Sequence, residues 1–356
     1  MINESSILEI QTKNLIQNYK TLSKFSKTGL SAAVIKANAY GLGSIKVFDL
    51  LYKNGCRHFF VVTINEALEL RKKYKKGYIY VLNGIGINEI SIFKKNKIIP
   101  IINSNENLLL LDKKLKNKKS HFKIGLHFDT GINRLGIPIK KIDKNLINKF
   151  NICIILSHLA SADEKENKYN LYQNNNFIKS LTLFKNVKLI SFSNSAATFS
   201  NKKFHYNLLR PGIALYGGYF DKKTKKLIKP VIILKAKILQ IKKLNKGEYV
   251  GYNQTYRTKK MIKIAILGIG YADGIFRKLS NKGFVFYKKR KFNIIGRVSM
   301  DSITVDISSY KGNIKVGSYM EIINEKFDIE KMAKKCATIS NEILTSISSR
   351  VKRIYK

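Results

Sequence analysis

Over about the first 220 residues, short apolar segments alternate with amphipathic segments, and this alternation limits the fold more than any other feature. The apolar segments, such as residues 58–63, 78–83 and 98–103, have the length and composition of buried strands. Each is followed by residues with helical spacing. Strands that alternate with helices favour a parallel sheet. About eight such units can close a barrel, so the sequence predicts an α/β fold whose residues 1–229 form a TIM-like (β/α)8 barrel.

The pattern changes after residue 230. From there, short strands are separated by turns rich in Gly, Asn and Lys, beginning with an alternating segment at residues 231–243. Two short helices are predicted near the end, at residues 331–336 and 340–346. The sequence therefore predicts a second, mainly β domain over residues 230–356. The lysine-rich residues 221–226, just before it, are predicted to be an exposed loop.

The chain is strongly basic, with a formal net charge of +44. Such an excess raises the possibility of nucleic-acid binding. The lysines, however, are spread along the whole chain and accompany many Ile, Asn, Tyr and Phe residues, with no Trp and only four Pro. This is the composition that A/T-rich codons produce. We therefore predict no nucleic-acid partner and interpret basic runs, such as residues 113–119, as solvated faces.

Membrane and metal sites are not indicated. No apolar run approaches the roughly 20 residues that span a bilayer, and the first residues lack a signal-peptide pattern. A cytoplasmic protein without a membrane partner is expected. The three cysteines, Cys56, Cys153 and Cys336, lie far apart in apolar segments. Because no pair has metal-ligand or redox spacing, we predict buried core cysteines and no metal site.

A lysine follows the first barrel strand. The apolar residues 30–35 end at Lys36, which has no acidic neighbour and precedes a small-residue turn containing Tyr40 and two glycines. An ammonium group at the end of a buried strand carries a desolvation cost. An amine that condenses with an aldehyde to form an imine loses that charge. Arg134, His158, Ser195 and Arg210 also fall at strand ends, on the face where barrel enzymes place their chemistry.

These motifs resemble those of a known family. The segment VIKANAYGLG at residues 34–43 is similar to the cofactor-lysine motif of the alanine racemases. The family's other motifs follow in order around Arg134, Arg210, Tyr252 and Met300, and the resemblance extends from residue 8 to residue 355. It implies pyridoxal 5′-phosphate (PLP) bound to Lys36 as an imine, racemisation of alanine, and a homodimer in which each β domain completes the partner's barrel site.

The resemblance also implies a set of phosphate contacts. Tyr40 and the hydroxyl and N–H of Ser195 correspond to groups that contact the cofactor phosphate. Gly212 and Ile213 correspond to backbone contacts, and a glycine suits a place where backbone approaches a ligand closely. Some relatives have a further phosphate-contacting tyrosine where this chain has Ser349, which leaves open whether Ser349 contacts the phosphate.

Three residues are implied around the cofactor ring and the substrate. Arg210 corresponds to the arginine that donates to the pyridine nitrogen, and His158 to the histidine that orients it. A guanidinium cannot accept a hydrogen bond, so the nitrogen stays unprotonated and the cofactor is a weaker electron sink. Arg134 corresponds to the arginine near the phenolic oxygen and the substrate carboxylate, for which its planar fork is suited.

One position departs from the family pattern. Many members have a lysine, often carbamylated, two residues before the aspartate of the DTGINRLG motif at residues 129–136, and this lysine positions the arginine. This chain has His127 there. Either His127 holds Arg134 directly, or an anion or water fills the space.

The second domain is implied to supply the remaining site residues. Tyr252 corresponds to the second catalytic base and Met300 to a backbone N–H that meets the substrate carboxylate. Tyr271, Arg277, Arg297 and Asp301 correspond to residues of the family's substrate corridor, as does Asp163 of the barrel. Lys36 and Tyr252 would then act as bases on opposite faces of Cα, Lys36 for the D-enantiomer and Tyr252 for the L-enantiomer.

Other functions share parts of this sequence pattern. A racemase of broader specificity and a PLP-dependent decarboxylase share this architecture, although Arg210 argues against the decarboxylase, which would carry an acidic partner for the pyridine nitrogen. A non-catalytic PLP-binding barrel would lack the second domain. Supply of D-alanine for peptidoglycan is the implied role, and a catabolic role is equally compatible with these residues.

Overall fold

The computed structural model describes residues 4–115 and 122–356, and two sheets dominate it. The basic run predicted at residues 113–119 and the start of the strand predicted at residues 121–129 therefore fall partly outside the described residues. No helix in the described part of the chain is long and apolar enough to cross a membrane.

The first sheet is parallel, and its strands are neighbours in the order in which they follow along the chain. The chain begins with β1 (Ser6–Ile10), which belongs to the other sheet. The strands of the first sheet are β2 (Ala33–Val34), β3 (His58–Val61), β4 (Tyr78–Val81), β5 (Ile98–Ile102), β6 (Lys123–Asp129), β7 (Ile137–Pro138, beside β6), β8 (Asn151–Leu156) and β9 (Leu189–Ser191). Helices between them are α1 (Thr12–Ser23), α2 (Lys36–Tyr40), α3 (Ser44–Lys53), α4 (Ile64–Lys73), α5 (Ile90–Lys95), α6 (Asn105–Leu115), α7 (Lys144–Ile147), α8 (Tyr169–Leu181) and α9 (Ser195–Ser200).

An eighth segment, residues 207–211, closes this sheet into a barrel. Leu208 N–H donates to the carbonyl of Ile190 (3.1 Å) on one side. On the other side, Ala32 N–H donates to the carbonyl of Leu209 (2.8 Å), and Val34 N–H to that of Pro211 (3.0 Å). The ring is complete, and the predicted α/β class with a TIM-like barrel is confirmed.

The apolar strands are buried on both faces, which explains why their sequences are continuously hydrophobic. Phe60, Tyr80 and Ile101 pack inside the barrel. Neighbouring residues of the same strands, such as Phe59 and Ile79, point outward and pack against the helices.

The predicted loop at residues 221–226 is wrong, because a helix, α10 (Lys222–Leu227), begins there. The Asp221 carboxylate accepts from Thr224 N–H (2.7 Å), and the Thr224 hydroxyl accepts from Asp221 N–H (2.9 Å). This reciprocal capping box starts a helix even in a run of lysines.

The second sheet is antiparallel except where β1 pairs with the last strand. Its strands after β1 are β10 (Ile232–Leu244), β13 (Ile262–Leu267), β14 (Phe284–Tyr287), β15 (Arg290–Ile295), β16 (Ile303–Asp306), β17 (Tyr319–Ile323) and β18 (Lys352–Tyr355), while β11 (Tyr249–Val250) and β12 (Tyr256–Arg257) form a separate hairpin. The long strand β10 pairs with β17 along its first half and β13 along its second, so the sheet closes on itself. Two helices, α11 (Ile329–Cys336) and α12 (Ser340–Ser346), pack beside it, and the predicted mainly β domain is confirmed in class.

The two units meet at the segment after Lys36. The strand β1 pairs with β10 and β18, so the first strand of the chain is part of the second sheet. From β18, the Tyr355 hydroxyl donates to the carbonyl of Leu42 (2.6 Å), and Arg353 Nε donates to that of Gly41 (3.1 Å). The proposed limit near residues 229 and 230 falls in the connection between α10 and β10.

Candidate active site

One cavity of about 580 Å³ opens at the carboxyl ends of the barrel strands. Its walls contain nine residues that the sequence predicts for the site: Lys36, Tyr40, Arg134, His158, Asp163, Ser195, Arg210, Gly212 and Ile213. Closure of the barrel brings them together, because the ends of parallel strands meet at one rim. Their individual roles stay predictions.

Lys36 lies directly after β2 and is half-buried, with its side chain in the cavity. Burial lowers the pKa of the Lys36 ammonium, and the positive charge of Arg134 lowers it further, while Glu66 opposes both. A larger neutral fraction makes the amine a better nucleophile toward a carbonyl group.

The turn that follows Lys36 is left-handed. Four consecutive residues, Ala37 to Tyr40, have φ between 50° and 55°, a conformation that non-glycine residues visit only at a cost of about 1–2 kcal/mol each. Ala37 N–H donates to Glu66 Oε1 (2.6 Å), and Ser44 N–H donates to Asn38 Oδ1 (2.7 Å). Neighbouring groups therefore hold the strained turn and fix the direction in which Lys36 leaves the strand.

A second wall of the cavity is suited to an anion. Ser195, at the start of α9, accepts hydrogen bonds through its Oγ from Gly212 N–H (2.8 Å) and Ala214 N–H (3.2 Å). A Cβ on Gly212 would overlap the Tyr40 hydroxyl oxygen. Two hydroxyls and two backbone N–H groups thus lie close together on this wall, and the Tyr40 hydroxyl can approach residue 212 so closely only because that residue has no Cβ.

Arg210 is fully enclosed at the centre of the site. Its Nη1 donates to Ser191 Oγ (2.5 Å) and its Nη2 to the carbonyl of Ser157 (2.6 Å). Burial lowers its pKa to about 9, so the guanidinium remains charged at neutral pH. Burial, together with the charges of Arg210 and Arg134, lowers the pKa of His158 to about 3. The imidazole is therefore neutral, and a neutral ring is not repelled by the two neighbouring guanidiniums.

The opening of the cavity is more exposed. Arg134 and Asp163 both lie there with accessible side chains. Arg134 sits in the loop after β6, which the Asp129 carboxylate folds back by accepting from Gly131 N–H (2.9 Å) and Asn133 N–H (3.2 Å). His127 lines the same cavity from β6 itself.

The residues predicted in the second domain do not line this cavity. They gather instead on one face of the β domain, on connected loops: Tyr252, Tyr271, Arg277, Arg297, Met300 and Asp301. Tyr271 N–H donates to the carbonyl of Ser299 (3.0 Å), and Ala272 N–H to that of Met300 (3.0 Å). Arg350 bridges Asp273 (3.3 Å) and Asp301 (2.8 Å). Ser349 is exposed and also lies outside the cavity.

Some residues of the site were not predicted. Asn83 and Asn341 line the cavity, and Glu66 and Asn103 support residues that line it. Asn83 and Asn103 follow β4 and β5, so their positions at strand ends were the available signal. Glu66 acts on a backbone N–H from the start of α4, and no local sequence pattern indicates that contact.

Comparison with known proteins agrees with this architecture. Models of the N-terminal domain and the C-terminal domain of alanine racemase match residues 10–220 and 231–355. Together they account for nearly the whole chain, with a gap where the barrel passes into the β domain.

Individual proteins match over nearly their full length. An alanine racemase of Brucella abortus (strain 2308) is 38% identical over 374 residues, which cover 98% of this chain and 93% of that protein. One of Rickettsia akari (strain Hartford) is 38% identical over 98% of both chains. The crystal structure of alanine racemase from Bartonella henselae, with covalently bound pyridoxal phosphate, superposes with a TM-score of 0.93 at 35% identity over 99% of each chain. The chain therefore belongs to the alanine racemase family.

Proposed function

We propose that this chain interconverts L-alanine and D-alanine by a two-base mechanism with Lys36 and Tyr252, using PLP held by Lys36. Membership of the family makes it a PLP-dependent isomerase. The observation that carries the finer proposal is the single cavity in which an amine of lowered pKa, a hydroxyl- and amide-lined cradle and two guanidiniums face one another.

The residues present fit PLP. Lys36 would hold its aldehyde carbon, and Ser195, Tyr40 and the amides near Gly212 would hold its phosphate. Tyr40 can stand this close to Gly212 only because residue 212 lacks a Cβ. Arg210 would donate to the pyridine nitrogen. When bound, PLP withdraws electrons from Cα of an attached amino acid and so makes the Cα proton easier to remove.

The chain's own groups then have distinct tasks. Arg134 holds the substrate carboxylate with its planar fork. Lys36 moves a proton at Cα from one face, and its lowered pKa favours the neutral amine that can accept it. Tyr252 moves a proton at the opposite face. We assign Lys36 to the D-enantiomer and Tyr252 to the L-enantiomer.

Tyr252 requires a second copy of the chain. It is 69% exposed and lies outside the cavity of its own chain, on the same face as Met300 (51% exposed) and Tyr271 (43% exposed). An exposed group of large apolar and aromatic side chains is typical of an interaction surface. We infer a homodimer in which this face, with Arg277, Arg297 and Asp301, covers the partner's cavity and its Asp163.

The first experiment is racemisation of L-alanine by purified protein with added PLP, followed by chiral analysis. We expect D-alanine to form much faster than the D-forms of serine, lysine or arginine. Lys36→Ala should abolish both the visible absorbance of the bound cofactor and the activity. Bound PLP with no racemisation by the wild-type protein would contradict the proposal.

Mixing two inactive variants tests the shared site. Lys36→Ala and Tyr252→Phe chains, unfolded together and refolded, should recover about a quarter of the wild-type activity, because half of the dimers carry one intact site of two. If each site were built from one chain, the mixture would stay inactive. Refolding each variant alone is the control.

The biological destination of D-alanine is a further proposal. We infer supply of D-alanine for peptidoglycan, which the family resemblance implies. Deletion of the gene should then make growth depend on added D-alanine. A strain that grows normally without it, but fails to use D-alanine as a nutrient, would favour a catabolic role. The expected cytoplasmic location and the absence of a nucleic-acid partner stay predictions.

A further inference from the structure

His127 has an unsatisfied hydrogen-bonding atom inside the cavity. The residue is 7% exposed and lines the site from β6. Its Nδ1 lies 2.8 Å from Asn103 Oδ1. Its Nε2 is buried and has no hydrogen-bond partner among the described residues. A buried polar atom without a partner is costly, so the site is built for a group that completes it.

Asn103 fixes which nitrogen of His127 carries the proton. The Asn103 amide nitrogen donates to the carbonyls of Leu82 (2.7 Å) and Ile101 (3.0 Å), which determines its orientation. Its oxygen therefore faces His127, and an amide oxygen can only accept. We assign the proton to Nδ1 on this basis, so Nε2 presents a lone pair to the cavity.

The missing partner must be a donor. Burial and the charges of Arg210 and Arg134 lower the pKa of His127 to about 3, although Asp129 opposes them. The ring is therefore neutral at physiological pH. A neutral nitrogen with a lone pair repels an anion and attracts an N–H group.

Among the cavity donors that the proposed function does not assign to the cofactor, the Arg134 guanidinium is suited to fill this place. Arg210 donates one N–H from each terminal nitrogen, to Ser191 and to Ser157, and a further one is assigned to the pyridine nitrogen. The Arg134 guanidinium makes no hydrogen bond or ion pair with the described residues. Its loop follows the strand that carries His127 and is folded back over the strand end, where Gly136 packs on the backbone of Asp129.

We propose that His127 is a positioning residue whose Nε2 accepts a hydrogen bond from the Arg134 guanidinium, with Asn103 holding the imidazole in the required tautomer. This rests on the proposed function of Arg134 as the substrate-carboxylate clamp. Of the possibilities that the sequence leaves open at this position, the neutral ring argues against an anion, and the proposal is direct contact rather than a water. Because the acceptor is neutral, Arg134 keeps its full charge for the substrate, and no carbamate or bound anion is needed.

The first test needs no activity. In the full-length protein, with and without PLP, ¹⁵N NMR of histidine side chains should show His127 with a protonated Nδ1 and an unprotonated, hydrogen-bonded Nε2. The Arg134 Nε–H signal should be observable and should weaken through faster exchange in His127→Leu. A proton on Nε2 would overturn the proposal. So would an Arg134 Nε–H signal that is the same in His127→Leu as in the wild-type protein.

The kinetic test separates positioning from folding. His127→Leu should raise the KM for alanine about tenfold or more, with a smaller change in kcat, because a hydrogen bond to a charged group is lost. His127→Gln, whose side-chain oxygen can accept near the position of Nε2, should recover much of the loss. An unchanged KM in His127→Leu would contradict the assignment.

The chain offers a matched control. His205 is 2% exposed, its Nε2 donates to the carbonyl of Thr198 (3.0 Å), and its Nδ1 is likewise unpartnered among the described residues, but it does not line the cavity. His205→Leu should change stability and leave the KM unchanged.

Buffer composition gives an independent readout. Wild-type activity should be the same with and without bicarbonate or halide, and dependence on either would overturn the proposal. A wild-type protein without racemase activity would instead refute the proposed function, and the NMR test would still decide the contact between His127 and Arg134.

Discussion

Replacing Gly212 by alanine tests the cavity at its tightest point. The residue has φ of −119° and ψ of −90°, outside the main regions that residues with a Cβ adopt, so alanine adds some backbone strain. The added Cβ would overlap the Tyr40 hydroxyl oxygen and lie 3.2 Å from Tyr40 Cζ, while its distance to Val34 Cβ, 3.6 Å, is an ordinary contact. The steric part of the cost therefore comes mainly from the Tyr40 hydroxyl group, which Tyr40→Phe removes, while the backbone strain stays in both alanine variants.

The expected magnitudes follow from this geometry. Overpacking of this kind costs about 1–3 kcal/mol, so Gly212→Ala should lower the free energy of unfolding by about 2 kcal/mol. Tyr40→Phe alone should change it little, because the Tyr40 hydroxyl makes no hydrogen bond with the described residues. The double variant should recover at least about 1 kcal/mol of the loss, a coupling typical of residues in contact. PLP affinity should fall in both single variants, since each alters the phosphate cradle.

Urea unfolding of the four proteins without PLP gives the coupling energy, provided that the slope with denaturant is constant. Gly86→Ala is the matched control, because its Cβ would meet only the movable carboxylate of Glu89, at 3.1 Å. Strictly additive losses from Gly212→Ala and Tyr40→Phe would refute the reasoning. So would a Gly212→Ala protein that keeps wild-type PLP affinity.

Three other perturbations have expected outcomes. Arg71→Lys should lower the free energy of unfolding by about 2–4 kcal/mol, measured in urea, because the buried guanidinium donates five hydrogen bonds to backbone carbonyls and an ammonium has three donors. Glu66→Gln should lower the free energy of unfolding by about 1–2 kcal/mol and weaken PLP retention, because one carboxylate accepts from three backbone N–H groups. Glu69 is exposed on the same helix, and Glu69→Gln should change neither quantity. Burial lowers the pKa of His58 to about 4, as it lowers that of His127 to about 3, so the unfolded chain binds more protons than the folded one. Stability should therefore fall as pH drops below about 6.5, by up to about 1.4 kcal/mol per pH unit for each histidine, and His58→Phe should reduce this slope.

The barrel could be predicted because its strands are short, continuously apolar and separated by helical spacing. The helix predicted at residues 340–346 has the observed bounds. The left-handed turn at residues 37–40 could not be predicted, since Ala-Asn-Ala-Tyr contains no glycine to signal positive φ, and Glu66 stabilises it from a distant element. Likewise, the pairing of β1 with β10 joins segments more than 200 residues apart, and no local pattern indicates it.

The residues of the candidate site also differ in how far the sequence predicts them. Residues at strand ends, such as Lys36 and Arg210, could be expected to meet because a closed parallel barrel gathers its strand ends at one rim. Supporting residues could not, because Asn103 acts through His127, and its contribution depends on the direction of an amide that two carbonyls fix. The face around Tyr252 is a third case, since its proposed role depends on a second copy of the chain.

The electrostatics of the cavity explain why its parts are held so firmly. Among the described residues that line it, Lys36, Arg134 and Arg210 are cations and Asp163 is the one acid, exposed at the opening. Cations gathered around one cavity repel one another, most strongly where they are buried, and the left-handed turn beside Lys36 adds backbone strain. The repulsion and the strain both destabilise the protein without a ligand, and an anionic ligand reduces the repulsion. Binding of PLP should therefore be tighter than binding to a neutral pocket of the same shape, and so stabilise the fold more at a given PLP concentration. The increase in melting temperature with PLP should shrink at high salt, because the relieved repulsion is itself screened.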